Sequence, residues 1–183
     1  GVSGSAVYVF NSAPSFFHTT LARNRLTDPS SEGAAVSVVS HTAALINTIL
    51  VSHTTGVRAE EGVTVTMEGT LWGDGAWANE TDWAGPGTVI TGTPANNVWA
   101  DPAFVAPQMG DYHIGVDSAA VDRGVSAGVT SDIDGQPRPI PVDGRVDLGA
   151  DESTGIDLSS SSKAASADQV AAGEVITYLI TLS

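Results

Sequence analysis

Histidines, paired aspartates and tryptophans are the side chains of this chain that could do chemistry, and their spacing narrows what that chemistry would be. His18 and His41 fall about 23 residues apart, close to one coil of a stacked β-fold, so their imidazoles would lie about 5 Å from each other in neighbouring layers. Two such nitrogens could share a metal ion. A ladder of like residues explains the same spacing without a ligand and is the expected reading. Asn24 over Asn47 reads alike, as amides bonded up a turn, with Gly69 ending the ladder. Asp132-Ile133-Asp134-Gly135 has the alternating carboxylates and glycine turn of the first half of a calcium loop. The match stops there, because Gln136 takes the fifth position and Asp143 stands where a bidentate Glu belongs. Arg138 offers a guanidinium fork to one of these aspartates, so a structural ion pair is expected, with calcium at Asp132 and Asp134 the lesser alternative and no other cofactor.

Trp72, Trp77, Trp83 and Trp99 cluster in one stretch. Exposed, they would stack on sugar rings and form a glycan contact; buried, they would plug the end of an apolar core. The plug is expected. The sequon Asn79-Glu80-Thr81 suggests an exposed loop. Catalysis of the polysaccharide lyase or hydrolase kind needs carboxylates clustered on one face. Residues 6 to 72 hold only Asp28, Glu32, Glu60, Glu61 and Glu68, none recurring at the coil spacing. Asp122-Arg123 is expected to fix a turn. No catalytic residues are therefore expected.

The elements that must position these groups come from a repeat. Ala22 to Leu26 aligns with Leu45 to Ile49 at an offset of about 23, Thr48-Ile49 aligns with Thr70-Leu71 at about 22, and Val36 lies about 21 before Val57. The same offsets place His41 against Val63. Each copy holds short β-branched runs broken by Gly, Ser or Asn, which cannot bury an inner face without a neighbour. Strands are predicted at Ala6–Phe10, Phe16–Leu21, Ala34–Val39, Ala43–Ile46, Thr48–Ser52, Gly56–Ala59, Val63–Met67, Thr70–Trp72 and Thr88–Thr91. The fold class is all-β: a right-handed parallel β-helix of about four coils over 1–93, a loop-rich segment capping or wrapping its C-terminal end over 94–152, and a two-strand β extension over 153–183. The first coil is expected to lack a cap, with Val7, Val9 and Phe10 near a bare edge.

Charge and composition limit the partners. Net charge is −14, from 21 acidic against 7 basic residues, so no basic patch is available for nucleic acid or an anionic membrane. A hydrophobic share of 42% is enough for a core, and the absence of cysteine excludes disulfides and thiolate metal sites. No apolar run is long enough for a membrane span, and GVSGSAVYVF lacks the basic start of a signal peptide. With a strand already at Ala6, the chain reads as a mature or trimmed fragment of something longer.

Four motifs then carry a resemblance. Asp111-Tyr112-His113-Ile114, Ser118 to Gly124, Asp132 to Pro139 and Val146-Asp147-Leu148-Gly149-Ala150-Asp151-Glu152 resemble the closing segment of bacterial parallel β-helix surface proteins of the choice-of-anchor Q type. The resemblance covers about 1–152 and implies a secreted or cell-surface protein, mostly without catalysis. Ile156-Asp157-Leu158, Ser159 to Lys163, Val170 to Glu174 and Val175 to Leu182 resemble the opening of an Ig-like bacterial surface repeat. Such a sandwich needs about seven strands and two are present, so Ile176, Tyr178, Ile180 and Leu182 form an unpartnered apolar stripe, Val175 and Leu179 beside it. Either the parent chain continues or another chain covers the stripe. The expected role is non-catalytic and structural: a subunit that assembles with itself, head to tail, by strand donation or end stacking into a filament or layer. The alternative is an adhesin fragment that binds glycans.

Overall fold

The computed structural model describes residues 6–24, 34–141, 144–154, 162–166, 173, 175 and 177–181. Ten of the described strands build a parallel β-solenoid. β1 (Val7–Val9), β2 (Ser15–Phe17) and β3 (Thr20–Ala22) form its first layer, followed by β4 (Ala34–Val38) with β5 (Thr42–Val51), and then β6 (Thr55–Ala59) with β7 (Thr64–Leu71). β8 (Thr81–Ala84), β9 (Thr88–Ile90) and β10 (Asn97–Val98) form the last. One sheet runs β1-β4-β6-β8; in the other, β5 and β7 are central, flanked by β2 and β3 on one side and by β9 and β10 on the other. Four layers joined in parallel make about 3 turns, one fewer than the coil count suggests.

Single left-handed residues make the corners. Asn47, at φ 56, splits β5 so that Ala43 and Leu45 before it, and Leu50 after it, face the interior, while Ile49 and Val51 face outward. Gly69, at φ 70, does the same in β7: Val65, Met67 and Trp72 point in and Leu71 points out. One residue outside the β region shifts the two-residue alternation by one, so a single strand supplies both an inner and an outer apolar face. The predicted break at Asn47, between Ala43–Ile46 and Thr48–Ser52, falls on this corner. Gly69 has a second constraint. A Cβ there would sit 2.9 Å from Asn47 Oδ1 and 3.1 Å from Leu148 Cδ2.

The register corrects the expected ladders. Val36 pairs with Val57 and Thr48 with Thr70, as the repeat implies, and the register of Thr42 with Thr64 sets His41 beside Val63. The first layer is longer. Phe17 pairs with Ile46 and Thr20 with Ile49, and His18 meets Asn47 at a separation of 29. His18 therefore does not stack on His41, nor Asn24 on Asn47; the Asn24 backbone N–H donates to His53 Nδ1 at 3.2 Å. The extra residues fall between β3 and β4, where the aligned Arg25 and Leu26, with Asp28 and Glu32, lie outside the described residues.

Ile49, Val51 and Leu71 need a cover on the outer face, and the chain after β10 provides it. β11 (Phe104–Ala106) and β12 (Asp111–Ile114) form an antiparallel hairpin, and Phe104, Ile114, Ala120 and Leu148 pack on that face. This strap reaches every layer. Asn47 Nδ2 donates to the Val125 carbonyl at 2.7 Å, the Val125 N–H returns to Asn47 Oδ1 at 2.8 Å, and the Ala150 N–H donates to Thr20 Oγ1 at 3.0 Å. Arg23 lies 4.5 Å over the Trp77 ring and donates to the Pro107 carbonyl. The segment expected over the C-terminal end thus runs along the flank, back to the first layer, because that is where the unpaired apolar stripe lies.

β13 (Ser162–Ala165) and β14 (Tyr178–Thr181) pair antiparallel as a separate two-stranded sheet, exposed throughout. Among the described residues, nothing pairs with the outer side of β1, β2 or β3, nor with that of β8, β9 or β10. Among the described residues, no helix is long and apolar enough to cross a membrane.

Candidate metal centre and groove beside the first coil

Four closing motifs of the strap meet in one knot of carboxylates, each satisfying backbone N–H groups of a turn. Asp132 accepts from the N–H groups of Asp134, Gln136 and Glu152, and Asp147 accepts from those of Asp122 and Ser153. Glu152, fully buried, accepts from the Ile140 and Asp147 N–H groups and pairs with Arg138 at 2.7 Å. The expected ion pair of Arg138 is therefore made with Glu152, not with Asp132 or Asp134; Asp132 caps turn N–H groups and Asp134 pairs with His113. Burial pushes the Asp147 carboxyl up to about 6 against the pull of its two N–H donors. Asp122-Arg123 lies in a turn, the Arg123 N–H donating to the Ala120 carbonyl.

At the edge of the knot three segments bring a second set of groups together. On β12, Asp111 and His113 are two apart and share a face. His113 Nδ1 lies 2.6 Å from Asp111 Oδ1, and Nε2 lies 2.8 Å from Asp134 Oδ2. Asp151, buried, accepts the Ile114 N–H at 2.8 Å. The hydrogen bond to Asp111 raises the His113 pKa, helped by the charges of Asp151 and Asp134, and the same bond lowers that of Asp111. Burial raises that of Asp151. His113, Asp134 and Asp151 each present one ligand atom within 4.8 Å of the others. Of the two aspartates with a calcium-loop pattern, Asp134 enters this cluster and Asp132 does not.

His113 and Asp151 also line a groove of about 470 Å³ beside the first coil. Leu21, Ala22, Tyr112 and Ile133 supply apolar walls. Neither His113 nor Asp151 stands out as a ligand in the sequence, because their cluster partners lie 17 or more residues away. Asp111-x-His113 on one strand is the local signal that could have found them.

His18 is a corner residue, at φ 46, and its neighbour fixes its state. Asn47 Nδ2 can only donate, so His18 Nε2, 3.0 Å away, accepts and the ring is neutral. Burial lowers its pKa to about 4, with the Arg138 charge adding to the effect. Asn79 is no free sequon: its amide donates to the Leu50 and Trp72 carbonyls and to Asp82, and its Oδ1 accepts from the His53 N–H. In the coils, Glu60 pairs with Arg58, and Glu68 accepts from Asn96 and the Thr93 N–H.

The tryptophans divide. Trp72 is fully buried in the inner core, and Trp77 packs edge-on against Phe104 at 5.0 Å under the strap. Trp83 and Trp99 flank Trp72 at 5.4 and 6.4 Å but stay 42% and 51% exposed. Trp99 is anchored by its Nε1, which donates to Asp82 at 2.7 Å. At the first layer Val9 is buried, Val7 is half-buried and Phe10 is exposed. In the tail Val175, Tyr178, Leu179 and Ile180 are exposed, while Ile176 and Leu182 lie outside the described residues, as do Asp143 and 156–158.

No family model matches this chain, and comparison with curated proteins and with solved structures finds no match. Its class rests on its own geometry, that of a parallel β-solenoid with a lateral strap.

Proposed function

We propose that this chain is a non-catalytic, extracellular structural protein whose solenoid stacks head to tail with further copies of itself. The observation that carries the reading is the pair of free sheet edges. Among the described residues both sheets end, at β1 to β3 and at β8 to β10, in strands with one unpaired side. A row of unpaired N–H and C=O groups is a template for another strand, and the first layer of one copy matches the last of the next in being parallel. Tyr8 and Phe10 at one end, and Trp83 and Ile90 at the other, add exposed apolar surface. A contact between unlike ends propagates into a filament unless its rotation closes a ring. The resemblance of the strap motifs to choice-of-anchor Q surface proteins, and of the tail to Ig-like surface repeats, supports placement on a bacterial cell surface.

The test uses two variants, Tyr8→Lys with Phe10→Lys at the first layer and Trp83→Lys with Ile90→Lys at the last. Each variant alone is expected to be monomeric by light scattering, and an equimolar mixture to stop at dimers, since one intact contact remains. A wild-type chain that stays monomeric at all concentrations, or variants that still form long assemblies, overturns the reading.

A second reading rests on Trp83 and Trp99. Their exposed faces, with the Trp99 N–H already satisfied, suit stacking on sugar rings in an adhesin fragment. Titration with oligosaccharides should then quench tryptophan fluorescence in the wild type and not in Trp99→Ala; no quenching by any neutral or acidic glycan excludes it.

A further inference from the structure

We propose that His113, Asp134 and Asp151 bind one divalent transition-metal ion, zinc by preference, beside the groove that His113 and Asp151 line next to the first coil. One imidazole and two carboxylates form a zinc-type donor set, whereas calcium takes about six to eight oxygens and gains little from an imidazole. In a tetrahedral centre with bonds of about 2.1 Å the ligand atoms stand about 3.4 Å apart. His113 Nε2 and Asp134 Oδ2, now 2.8 Å apart, must open slightly, and the other separations, all within 4.8 Å, must close by at most about 1.4 Å. The His113 and Asp134 side chains are 43% and 48% exposed, so both can shift. Asp151 is held by the Ile114 N–H and fixes the position of the ion.

Two further features suit an ion. Asp111 holds His113 Nδ1, leaving Nε2 as the ligand, the carboxylate–histidine arrangement that orients imidazoles on metals. The groove also has apolar walls with His113 and Asp151 among its lining residues, so an open coordination position on the ion would face a concave site able to take an oxygen-donor ligand such as a carboxylate. The ion would tie β12, the turn at 131–137 and the closing segment at 147–152 to one point.

The test is calorimetric titration of the chelator-treated full chain with zinc, manganese and calcium. One zinc per chain is expected, with a higher melting temperature, tighter binding than either other ion, and the visible bands of a tetrahedral centre when cobalt replaces zinc. His113→Asn and Asp134→Asn, both surface changes checked by circular dichroism, should each raise the zinc Kd at least tenfold, and Asp111→Asn about tenfold. His41→Asn, an exposed histidine away from the cluster, should leave it unchanged. Absence of stoichiometric zinc binding, binding undiminished in His113→Asn, binding lost in His41→Asn, or calcium bound more tightly than zinc overturns the proposal.

Discussion

Two buried titratable groups that hold the strap pull in opposite directions with pH. His18 has its pKa lowered to about 4, from 6.5, because burial and the nearby Arg138 charge disfavour the charged ring. Between pH 6.5 and 4 the unfolded chain takes up a proton that the folded one refuses, so stability is lost as pH falls through that window. Asp147 has its pKa raised to about 6, from 3.8, so the folded chain holds a proton that the unfolded one has released. Its contribution is present at low pH and is lost as pH rises from 3.8 to about 6. The two slopes oppose each other between about pH 4 and 6. Relative to wild type, His18→Asn should make stability in urea melts fall more steeply with rising pH, and Asp147→Asn should make it rise. A slope unchanged from wild type in either variant would show that its group titrates normally in the fold, and differences of the same sign would show that one shift runs the other way.

A solenoid strand is a run of alternating residues interrupted by one left-handed residue, and the interruption decides which faces are apolar. Gly69→Ala places a side chain at φ 70 against Asn47 and Leu148, and should cost about 1–3 kcal/mol in chemical denaturation. Asn47→Gly, by contrast, keeps the corner but removes the clamp on Val125, and should loosen the strap before the coils, visible as faster amide exchange at Val125. These corners explain how much could be read in advance. From β4 to β7, and at β9, the strands, the break at Asn47 and the pairing of Val36 with Val57 were legible, since short β-branched runs recur at a nearly constant interval; β8, β10, β11 and β12, short and set among Gly, Pro and Asp, were not predicted. The first layer's strands were placed at Ala6–Phe10 and Phe16–Leu21 but its register was not legible, because Ala22-Arg23-Asn24 aligns with Leu45-Ile46-Asn47 by residue type although the ladder pairs Ala22 with Val51. Residue type cannot reveal a longer connection between two strands. The candidate metal centre was half legible for a related reason: Asp134 lies in a recognisable turn, but His113 and Asp151 reach it only once the strap has wrapped around the flank.

At the scale of the molecule, self-association must overcome charge. With net charge −14, copies repel at distances beyond contact, and at about 0.1 M salt the repulsion is screened over about 10 Å. The proposed end contacts would be short-range and largely backbone and apolar, so assembly should strengthen with salt. In the proposed assembly the exposed hairpin β13–β14 would give copies a second way to meet. Tyr178 and Ile180 share a face with Lys163, while Leu179 points away, and burying these three side chains would contribute on the order of 5 kcal/mol before ordering costs. If a neighbouring sheet edge accepts β14 as an added strand, Ile180→Asp should abolish oligomers and leave the β circular dichroism intact. If the ends stack directly, the same variant should assemble like wild type, while Phe10→Lys should not. Light scattering of the two variants at low and at high salt separates the routes. Oligomers of wild-type size in both variants would exclude both as the basis of assembly.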